Sequence, residues 1–292
     1  KCLDIFDPRP WDVRTVRQHG SMSATQADPS RPSMRETTPQ VFLVARPSVD
    51  VAGMRAYLEE VGGASWLENR ERESIPGAEL LAEFAGRICY RSWEPGLNAN
   101  VSRVRTDRAA YFANVMQSFH GSVLEHASFS FAFRHVSRVF THELVRHRAG
   151  SAFSQESLRY VRLTDIGFRV PEALEPIRDQ VISLVEQLEE FQVSAADALG
   201  LDEDGVPFAV KKEITSALRR LAPIGLSTDI LWTANVRTLR HVIEMRTAPG
   251  AEEELRLVFD RVAEIAKAEA PLLFQDFHRQ DDGSWAPEWR KV

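Results

Sequence analysis

The chain has 292 residues, 43% of them hydrophobic and 27% charged, which is enough for a sizeable core and ordinary for a soluble globular protein. Its formal net charge of −6 excludes a polyanion binder acting through overall field, so an anionic ligand must be caught by a local concentration of cations. Two cysteines, Cys2 and Cys89, are too few for a disulfide framework or a thiolate zinc site, and no apolar run approaches the ~18 residues of a membrane helix, so a reducing cytoplasm and no membrane partner are expected.

Residues 1–40, rich in Pro, Arg, Ser, Thr and Gln without periodicity, read as a poorly structured leader or arm, and 41–292 as a single domain. Val41-Phe42-Leu43-Val44 reads as a short buried strand. The spacing predicts a helix over 76–92 with Leu80, Leu81, Phe84 and Ile88 on its apolar face. A second helix is capped by Asp107, carries Tyr111, Phe112, Val115, Met116 and Phe119 on one face, and is ended by His120-Gly121. Ser128 to Arg134 alternates strictly and places three Phe on one face of a half-buried strand. A helix follows from about Ser137 to Arg148, then a loop through Ser157. Beyond lie a long amphipathic helix over 172–199, a helix over 207–221 introduced by Pro207, helices over 227–246 and 251–270, and a tail rich in Trp and charge. Many helices, few strands and no regular βαβ alternation predict an α+β fold, a mixed or antiparallel sheet flanked by long helices.

The chemistry concentrates in one segment. Five of the eight histidines lie between His120 and His147, and residues 134–163 hold six arginines against two acids, Glu143 and Glu156. Guanidinium groups match phosphate bidentately and stay charged, so the pattern points to a phosphate or nucleotide site. On a continuous helix Arg138, His142 and Arg146 form one stripe, with Glu143 within reach of Arg146 and His147. The loop that follows, Ala149 to Ser157, is dense in small and hydroxyl residues, as close approach to phosphate requires. No metal is expected, because His142 and His147 are five apart and a regular helix turns the second ring about 140° from the first. There is no Gly-x-Ser-x-Gly elbow, no Rossmann fingerprint and no Walker loop. A nucleic-acid-binding protein without catalysis is the alternative from another class; the negative net charge and the lack of a basic surface interleaved with aromatics argue against it.

Arg146-His147-Arg148, followed by the hydroxyl-rich loop and Ser157-Leu158-Arg159-Tyr160, resembles the signature of the flavin-dependent thymidylate synthases. His120-Gly121-Ser122-Val123-Leu124-Glu125-His126 and Asn235-Val236-Arg237-Thr238-Leu239-Arg240-His241-Val242-Ile243-Glu244-Met245-Arg246 resemble two further segments of that family, in the same order. The resemblance covers about residues 41–278 and implies a single catalytic domain of that fold. It implies FAD held by Ser122, Arg146, His147, Arg148, Gln155, Asn235, Val236, Arg237 and His241. It implies a nucleotide monophosphate held by Glu143, Leu144, Val145, Arg146, Gln155, Glu156, Ser157, Leu158, Arg159, Arg219 and Arg246. Arg246 is the implied catalytic residue, favouring the ionised N3 of uracil and so activating C5. The implied reaction is reductive methylation of dUMP to dTMP with NADPH and methylenetetrahydrofolate, in a homotetramer with sites at subunit junctions and with neither nucleic acid nor membrane as partner.

The sequence departs from the family pattern in two places. Eight residues, not seven, separate Arg148 from Ser157, and Glu143 stands where Gln is expected. Both bear on the sugar, so the same chemistry on UMP, in a nucleoside-antibiotic pathway, is the alternative. In that reading Glu143 accepts a hydrogen bond from the ribose 2′-hydroxyl and the longer loop makes room for it.

Overall fold

The computed structural model describes residues 34–101 and 103–292. The expected leader falls almost wholly outside them. At its described end Met34 is buried and β1 (Arg35–Glu36) precedes β2 (Gln40–Ala45). Helices α1 (Val51–Val61), α2 (Ala64–Glu71), α3 (Gly77–Tyr90) and α4 (Arg108–Gln117) follow, then a 3-10 turn over Gly121–His126, β3 (Ser128–Ser137), α5 (Arg138–Leu144) and β4 (Ser151–Gln155). The second half holds β5 (Gly167–Phe168), α6 (Arg178–Ala198), α7 (Phe208–Leu218), β6 (Ser227–Asn235), α8 (Val236–Thr247), α9 (Glu253–Glu269), β7 (Phe277–Arg279) and β8 (Trp285–Pro287). The fold is α+β, as expected.

The central sheet has the order β2-β3-β6-β4, with every neighbour antiparallel. The three Phe of β3 do share a face: Phe129, Phe131 and Phe133 are buried with Ile230, Trp232 and Ala234 of β6. α5, α8 and α9 cover that face through Phe140, Leu239, Ile243 and Phe259, and this aromatic layer is the main core. The other face is open, so β2 is two-sided rather than buried: Val41 and Leu43 pack inward while Phe42 and Val44 are about half exposed.

Several expected elements are corrected. The stretch 227–246 is not one helix. Its first nine residues form β6, with Thr228, Ile230, Trp232 and Ala234 buried in alternation, and the helix begins only after Asn235, whose Oδ1 accepts from Thr238 N at 2.9 Å. The loop expected after Arg148 contains β4, which completes the backbone hydrogen bonding of β6. The helix expected to run to Arg148 ends at Leu144, so the stripe of Arg138, His142 and Arg146 is broken before its last member. The helix over 172–199 opens as a 3-10 turn at Glu172–Ile177 containing Pro176, whose missing N–H forbids an α-helical bond there. Phe119 lies beyond the end of α4 with φ of 58°, exposed rather than on the buried face.

α3 is turned from its expected orientation. Leu80, Leu81 and Phe84 are half-buried and Ile88 is exposed, while Ala78, Glu79, Ala82, Glu83, Gly86 and Arg87 are buried. Glu83 accepts from Arg70 at 2.9 Å and from Arg87 at 2.8 Å, and Arg108 bonds Glu79 at 2.7 Å. Burial opposes ionisation of Glu83, but the hydrogen bonds and charges of Arg70 and Arg87 outweigh it and hold the carboxyl below its usual range.

Candidate active site

Ser137 begins α5 by accepting from Phe140 N at 3.1 Å, while its own N–H donates to Glu254 at 2.8 Å. After Leu144 the chain leaves the helix through tight turns, with His147 N bonded to Leu144 O at 3.1 Å and Arg148 N to Arg146 O at 3.1 Å. Gly150 then turns the chain into β4 with φ of +65°, and a Cβ there would stand 2.3 Å from Asn235 Nδ2 and 2.5 Å from Thr238 Oγ1. The glycine therefore lets the Arg-His-Arg segment close on the first turn of α8. Asn235 N donates to Gly150 O at 3.0 Å and Thr238 Oγ1 to Ala149 O at 2.7 Å.

Between this seam and the C-terminal segment lies an open pocket of about 680 Å³. Of the expected flavin residues, Arg146, His147, Arg148, Asn235, Arg237 and His241 line it. Arg146 and Arg148 have no acid partner among the described residues, whereas Arg237 Nη1 bonds Glu125 at 2.6 Å. Val236 does not face the pocket: its side chain is 0% exposed in the core and its N–H donates to Ala127 O at 2.8 Å. Ser122 is exposed on the neighbouring 3-10 turn and Gln155 bonds Thr141 Oγ1 at 3.1 Å; neither lines the pocket.

Arg246, on the last turn of α8, is clamped beside this pocket. Its Nε donates to His147 Nε2 at 2.8 Å, Nη1 to Glu143 Oε2 at 2.5 Å and Nη2 to Glu143 O at 3.1 Å. Glu143 thus serves Arg246, and not Arg146 or His147 as a longer helix would have allowed. Burial, followed by the charges of Arg246, His241 and Arg146, pushes the His147 pKa down to about 4. The ring is therefore neutral at ordinary pH, with a free lone pair for Arg246.

The remaining expected nucleotide residues lie apart from that clamp. Glu156, Arg159 and Arg219 are exposed, Ser157 Oγ accepts from Arg159 N at 3.3 Å, and the Arg159 guanidinium lies 5.9 Å from the Tyr160 ring. Leu144 and Leu158 are buried packing residues, and Val145 is half-buried against the main core. Arg138, counted in the basic segment but given no role by the sequence, joins this group. Burial and the nearby Arg219 lower its pKa, Glu156 partly offsets them, and its Nη1 is buried without a hydrogen-bond partner. Gly150 and Thr238 fall inside the segments the sequence singled out, but neither they nor the Trp- and charge-rich tail receives an individual site role from it, and the pocket lining includes all three. Among the described residues no His, Cys, Asp or Glu cluster gathers as a metal site would, and no helix is long and apolar enough to cross a membrane.

A family profile described as thymidylate synthase complementing protein matches residues 72–272. Flavin-dependent thymidylate synthases from Corynebacterium efficiens, Mycobacterium tuberculosis and Mycobacterium marinum are 36%, 36% and 35% identical to the chain. Each alignment covers 69% of this chain and 80% of the relative.

Proposed function

The chain belongs to the flavin-dependent thymidylate synthase family, and from that premise we propose that it converts dUMP to dTMP with FAD, NADPH and methylenetetrahydrofolate. It is an enzyme, a FAD-dependent methyltransferase. The observation that carries the proposal is the clamped Arg246. Glu143 and His147 fix the guanidinium without removing its proton, and its remaining N–H donors are free for a uracil whose N3 becomes anionic. Stabilising that charge raises electron density at C5, the carbon that takes the methyl group.

The pocket residues fit a flavin dinucleotide. Arg146 and Arg148 supply unpaired cations for a diphosphate, and His147, His241 and Asn235 supply a polar wall. Bound FAD, reduced by NADPH, supplies the hydride. Arg138, Arg159 and Arg219 hold the nucleotide phosphate, the orphaned Nη1 of Arg138 being the strongest sign of an absent anion. Ser122, Gln155 and the phosphate arginines do not converge on the pocket within one chain, which supports a homotetramer completing each site across a subunit junction. The free Cys89 suits a cytoplasmic enzyme.

No observation favours UMP. Glu143 Oε2 is engaged with Arg246, a positioning role that needs no sugar contact. Between Arg148 and Ser157 the chain makes the Gly150 turn, which lines the cofactor pocket, and then β4. Parallel turnover assays on dUMP and UMP test the assignment. Equal efficiency on the two overturns the preference for deoxyribose, and a preparation with no visible flavin band that FAD fails to reconstitute overturns the reading itself.

A further inference from the structure

The C-terminal segment lies beyond residue 272, where the family match ends, yet it forms one side of the pocket. It is anchored from behind. Trp285 N donates to Thr247 Oγ1 at 2.9 Å and its Nε1 to Asp260 at 2.8 Å. Glu288 N bonds Asp276 O at 3.0 Å and Trp289 N bonds Asp276 Oδ2 at 3.3 Å, on the same carboxylate that pairs with the buried Arg240. Across the pocket Arg290 pairs with Glu244 of α8 at 3.1 Å. Val292 presses on the turn that carries Ser122: a Cβ on Gly121 would stand 2.4 Å from its carbonyl carbon and 2.9 Å from Arg237 Nε.

Two cations are thereby brought to the pocket rim. Lys291 has no ion-pair partner among the described residues, and one carboxylate does not exhaust the N–H donors of Arg290. With Arg146 and Arg148 opposite, the pocket carries more positive charge than its own acids neutralise, which matches a ligand with more than one phosphate charge. Trp289 adds an indole to the same wall.

We propose that Trp289, Arg290 and Lys291 form the outer wall of the flavin pocket and grip the phosphate-bearing half of the dinucleotide. The inference rests on the flavin reading above. The Arg146–Arg148 side holds the ligand from one flank and the tail holds it from the other, so that cofactor retention depends on a segment outside the family's matched core.

The test is titration of wild type and of the double variant Arg290→Ala, Lys291→Ala with FAD and with riboflavin, which lacks phosphate. The double variant is expected to raise the dissociation constant for FAD by about tenfold or more, the size of one lost charge-assisted hydrogen bond, and to leave riboflavin unchanged. The pair Arg290→Lys, Lys291→Arg restores FAD affinity. Unchanged FAD affinity in the alanine variant overturns the proposal, and so does an equal loss for both ligands, because the tail then acts by shape and not by charge. Should the double variant fail to fold, Lys291→Ala alone carries the same FAD-against-riboflavin comparison. A wild type that binds no FAD removes the flavin reading itself, an outcome seen in the wild-type arm and separate from a failure of the tail.

Discussion

Arg246 is already oriented in the free protein, because His147 and Glu143 fix it. Replacing it with Ala should lower turnover by roughly 10²–10³, the loss typical of one preorganised electrostatic group, while the visible flavin spectrum persists. Glu143→Gln should lower turnover on dUMP and UMP by similar factors, since the lost partner is Arg246 and not the sugar; a selective change on UMP contradicts that assignment. His147 has a signed pH consequence. Its folded pKa of about 4 lies below the ordinary 6.5, so between those values the unfolded chain binds a proton that the folded chain refuses. Stability should therefore fall as pH drops from about 6.5 towards 4, level off below, and show no contribution above. Melting temperatures of wild type and His147→Gln across that window give the check, the variant having the shallower decline. The sequence made Arg246, His147 and Arg148 visible through their motifs. The partners of Arg246 were not legible, because they depend on α5 stopping at Leu144, and no Gly or Pro marks that stop.

The elements show where periodicity informs and where it misleads. Strict alternation identified β3, and Asp107 marked the start of α4 as its structure confirms, Oδ1 accepting from Ala109 N at 2.8 Å. β6 alternates too, but it runs directly into an amphipathic helix, and the joined stretch reads as a single long helix. β4 was hidden because small residues and hydroxyls, Ser151-Ala152-Phe153-Ser154-Gln155, describe an edge strand as well as a loop. The turned face of α3 shows the limit of hydrophobic patterning, since ion pairing decides which side is buried. Glu83, 0% exposed, anchors that network, and Glu83→Ala should cost about 3–5 kcal/mol in urea unfolding by leaving Arg70 and Arg87 buried without their carboxylate. Gly150→Ala should cost about 1–3 kcal/mol through its left-handed backbone, and should weaken flavin retention because the turn joins β4 to α8.

At the scale of the molecule, the purified protein should be yellow with about one flavin per chain, and light scattering should give the mass of four chains. Of the expected leader over 1–40, the described residues from Met34 on are packed: Met34 is buried in a cluster with Phe168 and Val185, and β1 pairs with β5. The order β2-β3-β6-β4 has a further consequence, for folding kinetics. Its longest ladder pairs Ser128 with Asn235 and Phe133 with Ile230, so α5, β4, α6 and α7 lie in the chain between strands that must meet. Closing so large a loop precedes any reward from the contacts it makes, which places such pairings late and slow, on a millisecond-to-second scale. Asn235 and the Arg-His-Arg turn are brought together by that ladder and β4, after which the Gly150–Asn235 and Ala149–Thr238 bonds can close. In stopped-flow refolding, helical ellipticity should therefore recover first and burial of Trp232 later. The ability to quench flavin fluorescence should return only with the later phase, so that the speed at which the chain becomes an enzyme is set by the meeting of two strands and not by its helices.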